Sequence, residues 1–119
     1  MKIWLDDCRP APEGYVWVKT VDEAIFEIER RNREFDVCWK HYIFGWCDRE
    51  KLEKRIDIWR IDEISCDNDL GENEHEGYKL LDWLEATSRN YPIHIHTANP
   101  VARERMRAII ERNGWTEVR

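Results

Sequence analysis

The stretch Ile61–Gly71, with the sequence IDEISCDNDLG, decides the fold class. It begins as an apolar run typical of a buried strand and ends in an acid cluster followed by a glycine. A polar loop, Asp69–Gly77, leads from it into an amphipathic helix predicted over Tyr78–Arg89. Because a strand, a polar loop and a helix in this order form the repeating unit of α/β folds, we expect strands and helices to alternate.

The same unit recurs towards the C-terminus. Pro92–Thr97 (PIHIHT) predicts a strand, and Asn99-Pro100 has the composition of a capped helix start. A helix is predicted over Val101–Asn113, because the glycine that follows it favours a C-terminal cap. Trp115–Val118 is then a candidate for a short last strand.

Two further strands are predicted before this region, Lys2–Asp7 and Tyr15–Thr20, joined by the proline-containing loop Cys8–Gly14. Thr20 stands in capping-box register and is predicted to begin a helix that ends near Asn32. No helix fits between the first two strands. Either the loop runs back in an extended form and the strands are parallel, or the pair is antiparallel.

Residues 33–60 fit the alternation poorly, since their first half is dense in aromatic residues and has little clear period. Asp48–Trp59 predicts a helix with charges spaced for pairing along one face. We interpret 33–60 as an inserted aromatic and helical excursion from the core fold. The rest of the chain predicts one α/β domain over residues 1–119 with a mostly parallel sheet.

The composition disfavours several classes of function. The chain has 119 residues and a formal net charge of -6, so its field disfavours binding to duplex DNA. No apolar run is long enough to span a membrane, and the first residues read as a strand rather than as a signal peptide. Cysteines without a CxxC pair predict reduced thiols in a cytoplasmic protein. The cysteines are Cys8, Cys38, Cys47 and Cys66.

Polar side chains follow three of the predicted strands, at the point where each strand ends. Because ligands of open α/β sheets bind beyond the carboxyl ends of the strands, we expect a functional site at this edge. The residues at these ends are Asp6 and Asp7, then Asp67, Asn68 and Asp69, and then His96, Thr97 and Asn99.

The acids at this edge require a compensating positive charge. A single aspartate after a strand is commonly a turn or cap residue, but two acid clusters at one edge repel each other unless a cation offsets them. That cation is either a divalent metal such as Mg²⁺, which prefers oxygen ligands, or the guanidinium of Arg9.

The start of the last helix is a candidate phosphate site. Asn99-Pro100 leaves backbone N–H groups at the positive end of the helix dipole, and Arg103 adds a guanidinium one turn on. The alternative is a simple capped helix with a solvated arginine. His94 and His96 lie on one face of their strand. One of the two is a candidate structural core histidine, and His96 is the candidate general acid or base because it is nearer the strand end.

Three segments resemble the receiver domains of response regulators: VKTVDEAIFEIE, DNDLGENEHEGYKLLDWL and PIHIHTA. This resemblance implies a flavodoxin-like or receiver-like three-layer sandwich in which Asp6 and Asp7 match the metal-binding acid pair. Asp67 then matches the phosphoacceptor and Thr97 the switch hydroxyl. The first receiver helix is absent and no lysine stands at the end of a fifth strand, so an ordinary phospho-signalling role is not expected.

A second resemblance is more specific and concerns the cyclic-phosphate processing receiver-like family. Its pattern runs D-D-x-R-P, S-x-D-H-D-L-G and H-[ST]-A-N-P-x-x-R, and the chain contains all three motifs in order. The motifs begin at Asp6, Ser65 and His96, and residues 33–60 lie outside the resemblance. One position departs from the pattern, because Asn68 stands where the family usually has histidine.

The resemblance implies a metal-assisted phosphodiesterase that opens a cyclic phosphate on a nucleotide or an RNA end. The implied cofactor is Mg²⁺ or Mn²⁺, held by Asp6, Asp7 and Asp67. The implied catalytic residues are His96, Asp67 and Asp69. The implied phosphate-binding residues are Arg9, Asn68, Thr97, Asn99 and Arg103.

Two alternatives stay open. Asparagine cannot relay a proton at neutral pH, so Asn68 favours a protein that binds a cyclic nucleotide or RNA end without cleaving it. The aromatic segment Phe35–Trp46 favours a degenerate receiver that acts as an interaction module, with a homodimer through residues 35–46 as one form. The same aromatics have an ordinary interpretation, in which they cover the sheet edge or replace the missing helix.

Overall fold

The computed structural model describes residues 1–119, in which strands and helices alternate as predicted. The strands are β1 (Lys2–Leu5), β2 (Tyr15–Val18), β3 (Glu63–Cys66), β4 (Ile93–Ile95) and β5 (Glu117–Val118). The helices are α1 (Val21–Ile43), α2 (Arg49–Trp59), α3 (Tyr78–Ala86) and α4 (Pro100–Asn113). None of the helices combines the length and the apolar character that crossing a membrane requires.

All five strands belong to one parallel sheet with the order β2-β1-β3-β4-β5. This is the strand order of flavodoxin-like and receiver domains. The predicted α/β class, with a parallel sheet and a receiver-like, flavodoxin-like fold, is therefore confirmed. The order places β1 next to β3 and β3 next to β4, so the ends of the three strands that carry polar side chains are neighbours.

The first two strands pair in parallel although no helix joins them. The connection runs back across the sheet without a helix, which is the first of the two predicted possibilities. It is held on one face of the sheet, where the indole Nε1 of Trp4 donates to the carbonyl of Arg9 at 2.9 Å. This loop therefore takes the place of the first receiver helix and brings Arg9 back towards the strand ends.

The helices cover only one face of the sheet. The crossovers from β2 to β3, β3 to β4 and β4 to β5 all move in the same direction across the sheet, and right-handed crossovers then put their helices on the same side. The buried core agrees, because it joins alternate strand residues such as Ile3 and Ile64 to residues of three helices. The expected three layers are therefore two, since the helix that would begin the third layer is the one the chain lacks.

Helix α1 continues beyond the predicted end at Asn32 to Ile43. No glycine or proline interrupts the chain before Gly45, whose φ of +76° ends the helical conformation. Helix α2 packs back along the second half of α1, and the two are joined by Arg31, whose Nη1 donates to the carbonyl of Ile58 at 3.0 Å. Residues 33–60 therefore form a helical hairpin, whose tip exposes apolar side chains. These are Ile43, Phe44 and Trp46.

Candidate functional site

The ends of β1, β3 and β4 meet as predicted and form an acidic site. We use this name for Asp6, Asp7, Arg9, Asp67 and His96. One carboxylate oxygen from each of the three aspartates lies within 4.8 Å of the other two. The imidazole of His96 reaches Asp6 at 3.0 Å across the sheet edge. Residues far apart in the chain thus share one site because their strands are parallel neighbours.

Asp6 is fully buried, and its carboxylate is saturated with hydrogen bonds. Its Oδ1 accepts from the backbone N–H groups of Cys8 and Arg9, both at 2.9 Å. Its Oδ2 accepts from Arg9 Nε at 2.9 Å and faces His96 Nε2 at 3.0 Å. Burial raises the pKa of Asp6, but the two backbone N–H donors, His96 and the charge of Arg9 outweigh it and the pKa is lowered. Asp6 is therefore ionised, and its carboxylate holds Arg9 and His96 in position.

Arg9 is the positive charge that the acids require. Its Nη2 donates to the carbonyl of His96 at 3.1 Å and lies 3.5 Å from Asp67 Oδ2. Together with the bond from Nε to Asp6, these contacts tie the guanidinium to all three strand ends. Nη1 has no partner within the chain, and 53% of the side chain is exposed. The remaining donors of Arg9 are therefore free to bind an anion.

Asp7 and Asp67 retain unsaturated carboxylates. Asp67 is buried, and its Oδ1 accepts from the N–H of Asn68 at 2.8 Å, while Oδ2 has only the long contact with Arg9. Asp7 is half-buried, and its charge raises the pKa of the neighbouring Cys8 thiol. Hard divalent cations prefer carboxylate oxygens, so the donor set fits such an ion at Asp7 and Asp67. Asp6 would join it only if Arg9 or His96 released Oδ2.

His96 has both ring nitrogens engaged. Nε2 faces Asp6, and Nδ1 lies 2.8 Å from the hydroxyl of Ser65, which also contacts His94 Nδ1 at 2.7 Å. The ring stacks on Trp4 with centroids 3.9 Å apart. Burial lowers the pKa of His96, and the hydrogen bond and charge of Asp6 only partly oppose this. His96 is therefore a neutral imidazole whose ring is held by three contacts, with Asp6, Ser65 and Trp4.

Ser65 fixes the proton positions in this network. A neutral His96 that donates from Nε2 to Asp6 must accept at Nδ1, so the Ser65 hydroxyl donates to it. The same hydroxyl then accepts from His94 Nδ1–H. Ser65 was not among the predicted site residues, although it begins the second motif and the alternation of the two histidines indicated a shared face.

Asn68 has a structural role at the start of α3. The residue is 1% exposed, and its Oδ1 accepts from the backbone N–H of Tyr78 at 3.2 Å. Its Nδ2 lies 3.4 Å from Asp69 Oδ1. The amide therefore caps α3, whose own N-cap residue, Gly77, has no side chain to do so. Asp69 itself is exposed and lies two residues after Asp67, outside the acidic site.

The start of α4 is closed by its own cap, contrary to the expectation of free backbone donors. Asn99 Oδ1 accepts from the N–H groups of Val101 and Ala102, at 3.1 and 3.2 Å. Arg103 turns back and donates to the carbonyl of Thr97 at 2.5 Å, and Thr97 is buried. The first-turn N–H groups are thus occupied, and an anion at this edge would bind chiefly through side chains.

One comparison with known proteins identified a family. The family described as Cyclic-phosphate processing Receiver domain matches residues 1–41 and 46–112. The match includes most of 33–60, which the motif resemblance had left outside. No curated protein and no solved structure matched the chain.

Proposed function

The chain belongs to the cyclic-phosphate processing receiver family, and we propose that it hydrolyses a cyclic phosphate of a nucleotide or RNA end at the acidic site. The observation that carries this proposal is the position of Arg9. Its guanidinium is fixed between Asp6 and Asp67 and keeps a free Nη1. A guanidinium held in this way is a preorganised donor for a phosphoryl oxygen.

In the proposed reaction, water attacks phosphorus and one ester P–O bond of the ring breaks. The water oxygen stays on phosphorus, and one water proton ends on the released sugar oxygen, so the product is a phosphomonoester with a free hydroxyl. Asp67 is the proposed proton acceptor, because one of its carboxylate oxygens is only weakly engaged. Arg9 would stabilise the charge that develops on the phosphoryl oxygens.

His96 acts in this proposal by positioning Asp6, since neither ring nitrogen is free to meet a substrate. Asp6 in turn fixes the guanidinium of Arg9. Asp7, together with the carboxylate oxygen of Asp67 that does not take the proton, would hold a divalent cation such as Mg²⁺ or Mn²⁺. When bound, the cation would supply positive charge beside the phosphoryl oxygens.

The test is a turnover assay with the full chain. The substrates are RNA 2′,3′-cyclic-phosphate ends, cyclic mononucleotides and cyclic oligonucleotides, each with Mg²⁺, with Mn²⁺ and with EDTA. We expect loss of one substrate class, and at least a roughly hundredfold slower rate in Asp67→Asn, which cannot accept the proton. The matched control is Asp36→Asn, an exposed aspartate on α1 that lies outside the site. Turnover of no substrate by the natural chain would contradict the proposal.

Binding without cleavage is the second candidate, and Asn68 supports it. Its buried amide caps α3 in a position where the family pattern has a residue able to relay protons. Calorimetry that shows tight binding of a cyclic nucleotide, with the ligand recovered intact, would favour this alternative. Appearance of the ring-opened product would exclude it.

A further inference from the structure

A half-open cavity of about 280 Å³ lies beside the acidic site. One wall comes from the segment between β3 and α3, with Asn68, Glu76 and Tyr78, and the other comes from the start of α4, with Asn99 and Arg105. Asn68 follows Asp67 directly in the chain. The cavity therefore adjoins the chain segment that carries Asp67, and its volume suits a group of about the size of one nucleobase rather than a larger ligand.

Arg105 supplies unpaired hydrogen-bond donors to this cavity. Its guanidinium carbon lies 4.4 Å from the centroid of the Tyr78 ring, so the aromatic side chain supports it. No carboxylate or carbonyl of the chain accepts a hydrogen bond from it. Most other arginines of the chain have such a partner, for example Arg107 with Glu117 and Arg112 with Glu85.

Glu76 supplies carboxylate acceptors to the same cavity, and only one long hydrogen bond within the chain engages them. Its Oε2 is 3.5 Å from Asn68 Nδ2, and no lysine or arginine forms an ion pair with it. A guanidinium and a carboxylate thus line one cavity without pairing with each other. A ligand that matches both must present acceptors on one edge and donors on another. The carboxylate also disfavours a second phosphate here by charge repulsion.

We propose that this cavity binds a guanine base. The O6 and N7 atoms of guanine are the acceptors that an arginine fork recognises, and its N1–H and N2–H groups are donors that a carboxylate accepts. Adenine presents a donor in place of O6 and an acceptor in place of N1–H, so it would oppose both side chains. The inference rests on the proposed function, because it places the cyclic phosphate of a guanosine nucleotide at the acidic site.

The experiment is calorimetric titration of the full chain with guanosine, adenosine and uridine 2′,3′-cyclic phosphates, and with free guanosine. We expect the guanosine cyclic phosphate to bind at least about tenfold more tightly than the other two. Glu76→Gln should remove this preference, and Arg105→Lys, which keeps the charge but loses the fork, should weaken it. The matched control is Glu104→Gln, an exposed neighbour on α4 that does not line the cavity.

Each outcome separates this inference from the proposed function. Equal affinity for the three nucleotides, or an unchanged preference in both variants, would overturn the guanine site even where hydrolysis is found. Binding of free guanosine that depends on Glu76, without turnover of any cyclic phosphate, would support the guanine site and contradict the phosphodiesterase. Thermal unfolding of each variant, compared with Glu104→Gln, checks that the fold is intact.

Discussion

Arg9 combines two tasks that a lysine could not combine. Its positive charge lies between Asp6 and Asp67, and it contacts Asp6 through Nε and both the carbonyl of His96 and Asp67 through Nη2. Arg9→Lys keeps the charge but cannot span these partners. We expect the free energy of unfolding to fall by about 1–2 kcal/mol, and any cyclic-phosphate hydrolysis to slow by roughly tenfold or more. Chemical denaturation and the turnover assay measure the two effects.

The control for this prediction is Arg33→Lys, an exposed position on α1 whose side chain has no ion pair. Equal stability and equal rates in the two variants would show that only the charge of Arg9 matters. The geometry assigned to its guanidinium would then be wrong.

Tyr15 gives a pH-dependent prediction on the helix-free face of the sheet. Its hydroxyl donates to Glu63 Oε2 at 2.6 Å, and this hydrogen bond, with burial and the charge of Glu63, raises the pKa of Tyr15 to about 12. A raised folded-state pKa favours the neutral phenol. Its contribution to stability is therefore complete below the ordinary pKa of about 10 and is lost as the pH rises through about 12.

Alkaline titration followed by ultraviolet absorbance tests this assignment. One tyrosine should ionise later than the others in the natural chain, and Glu63→Gln should move that late step towards lower pH because the carboxylate charge is removed. Tyr15→Phe should abolish the late step. A late step that survives in Tyr15→Phe would assign it to another tyrosine.

The positions of individual site residues could be predicted where the sequence pattern shows where a strand ends. Asp6, Asp67 and His96 could be placed at one edge because each follows an apolar run, and Arg9 was already one of two candidate counter-ions. The saturation of Asp6 and the role of Ser65 depend on which side chains face each other across β1, β3 and β4. That register is a property of the folded sheet, so the chain order alone did not indicate it.

At the scale of elements, the residues that follow β3 pack closely against Gly77, which precedes α3. A Cβ placed on Gly77 would lie 1.8 Å from the carbonyl oxygen of Asp67 and 2.9 Å from the Cα of Asn68. Since both neighbours are backbone atoms, they cannot rotate away. Gly77→Ala should therefore lower the free energy of unfolding by about 3 kcal/mol or more and displace Asp67. Calorimetric melting measures the first effect and the turnover assay the second.

Gly45→Ala is the informative comparison, because a Cβ there meets no atom within 4 Å and the only cost is the positive φ at the hairpin tip. We expect it to be destabilising by only about 1 kcal/mol and to leave the site intact. If Gly77→Ala were as stable and as active as Gly45→Ala, the close packing around Gly77 would be contradicted.

The ends of helices could be predicted where a capping residue marks them. They could not be predicted where packing against another helix determines how far a helix continues. The caps at Thr20 and Asn99 were both correct, because a side-chain cap is a local property. The end of α1 was placed too early, since nothing in residues 33–43 breaks a helix and α2 supplies the surface that buries Cys38. The parallel pairing of β1 and β2 was equally beyond local signals, because a long loop permits either direction.

At the scale of the whole molecule, the chain consists of a two-layer α/β core and a helical hairpin that extends from it. The overall dimensions of 50 × 29 × 25 Å reflect this extension. The buried core cluster contains residues from α1, α3 and α4 but none from α2. In the distal hairpin, only Cys38 and Leu52 are buried, so little apolar area holds it closed. The hairpin should therefore open at lower free energy than the core.

Leu52→Ala tests this division of stability. The side chain is 3% exposed and packs between α2 and α1, so its truncation leaves a cavity that would cost about 2–4 kcal/mol within a cooperative core. If the hairpin opens independently, the substitution lowers the free energy of opening the hairpin and leaves the free energy of unfolding the core unchanged. Amide hydrogens of residues 36–58 should then exchange much faster, while amide hydrogens of β1, β3 and β4 keep their protection.

The acidic site should remain active in this variant. Light scattering on the same samples would show whether a dimer through residues 35–46 is lost. Uniformly faster exchange across hairpin and sheet would instead show that the chain unfolds as one cooperative unit.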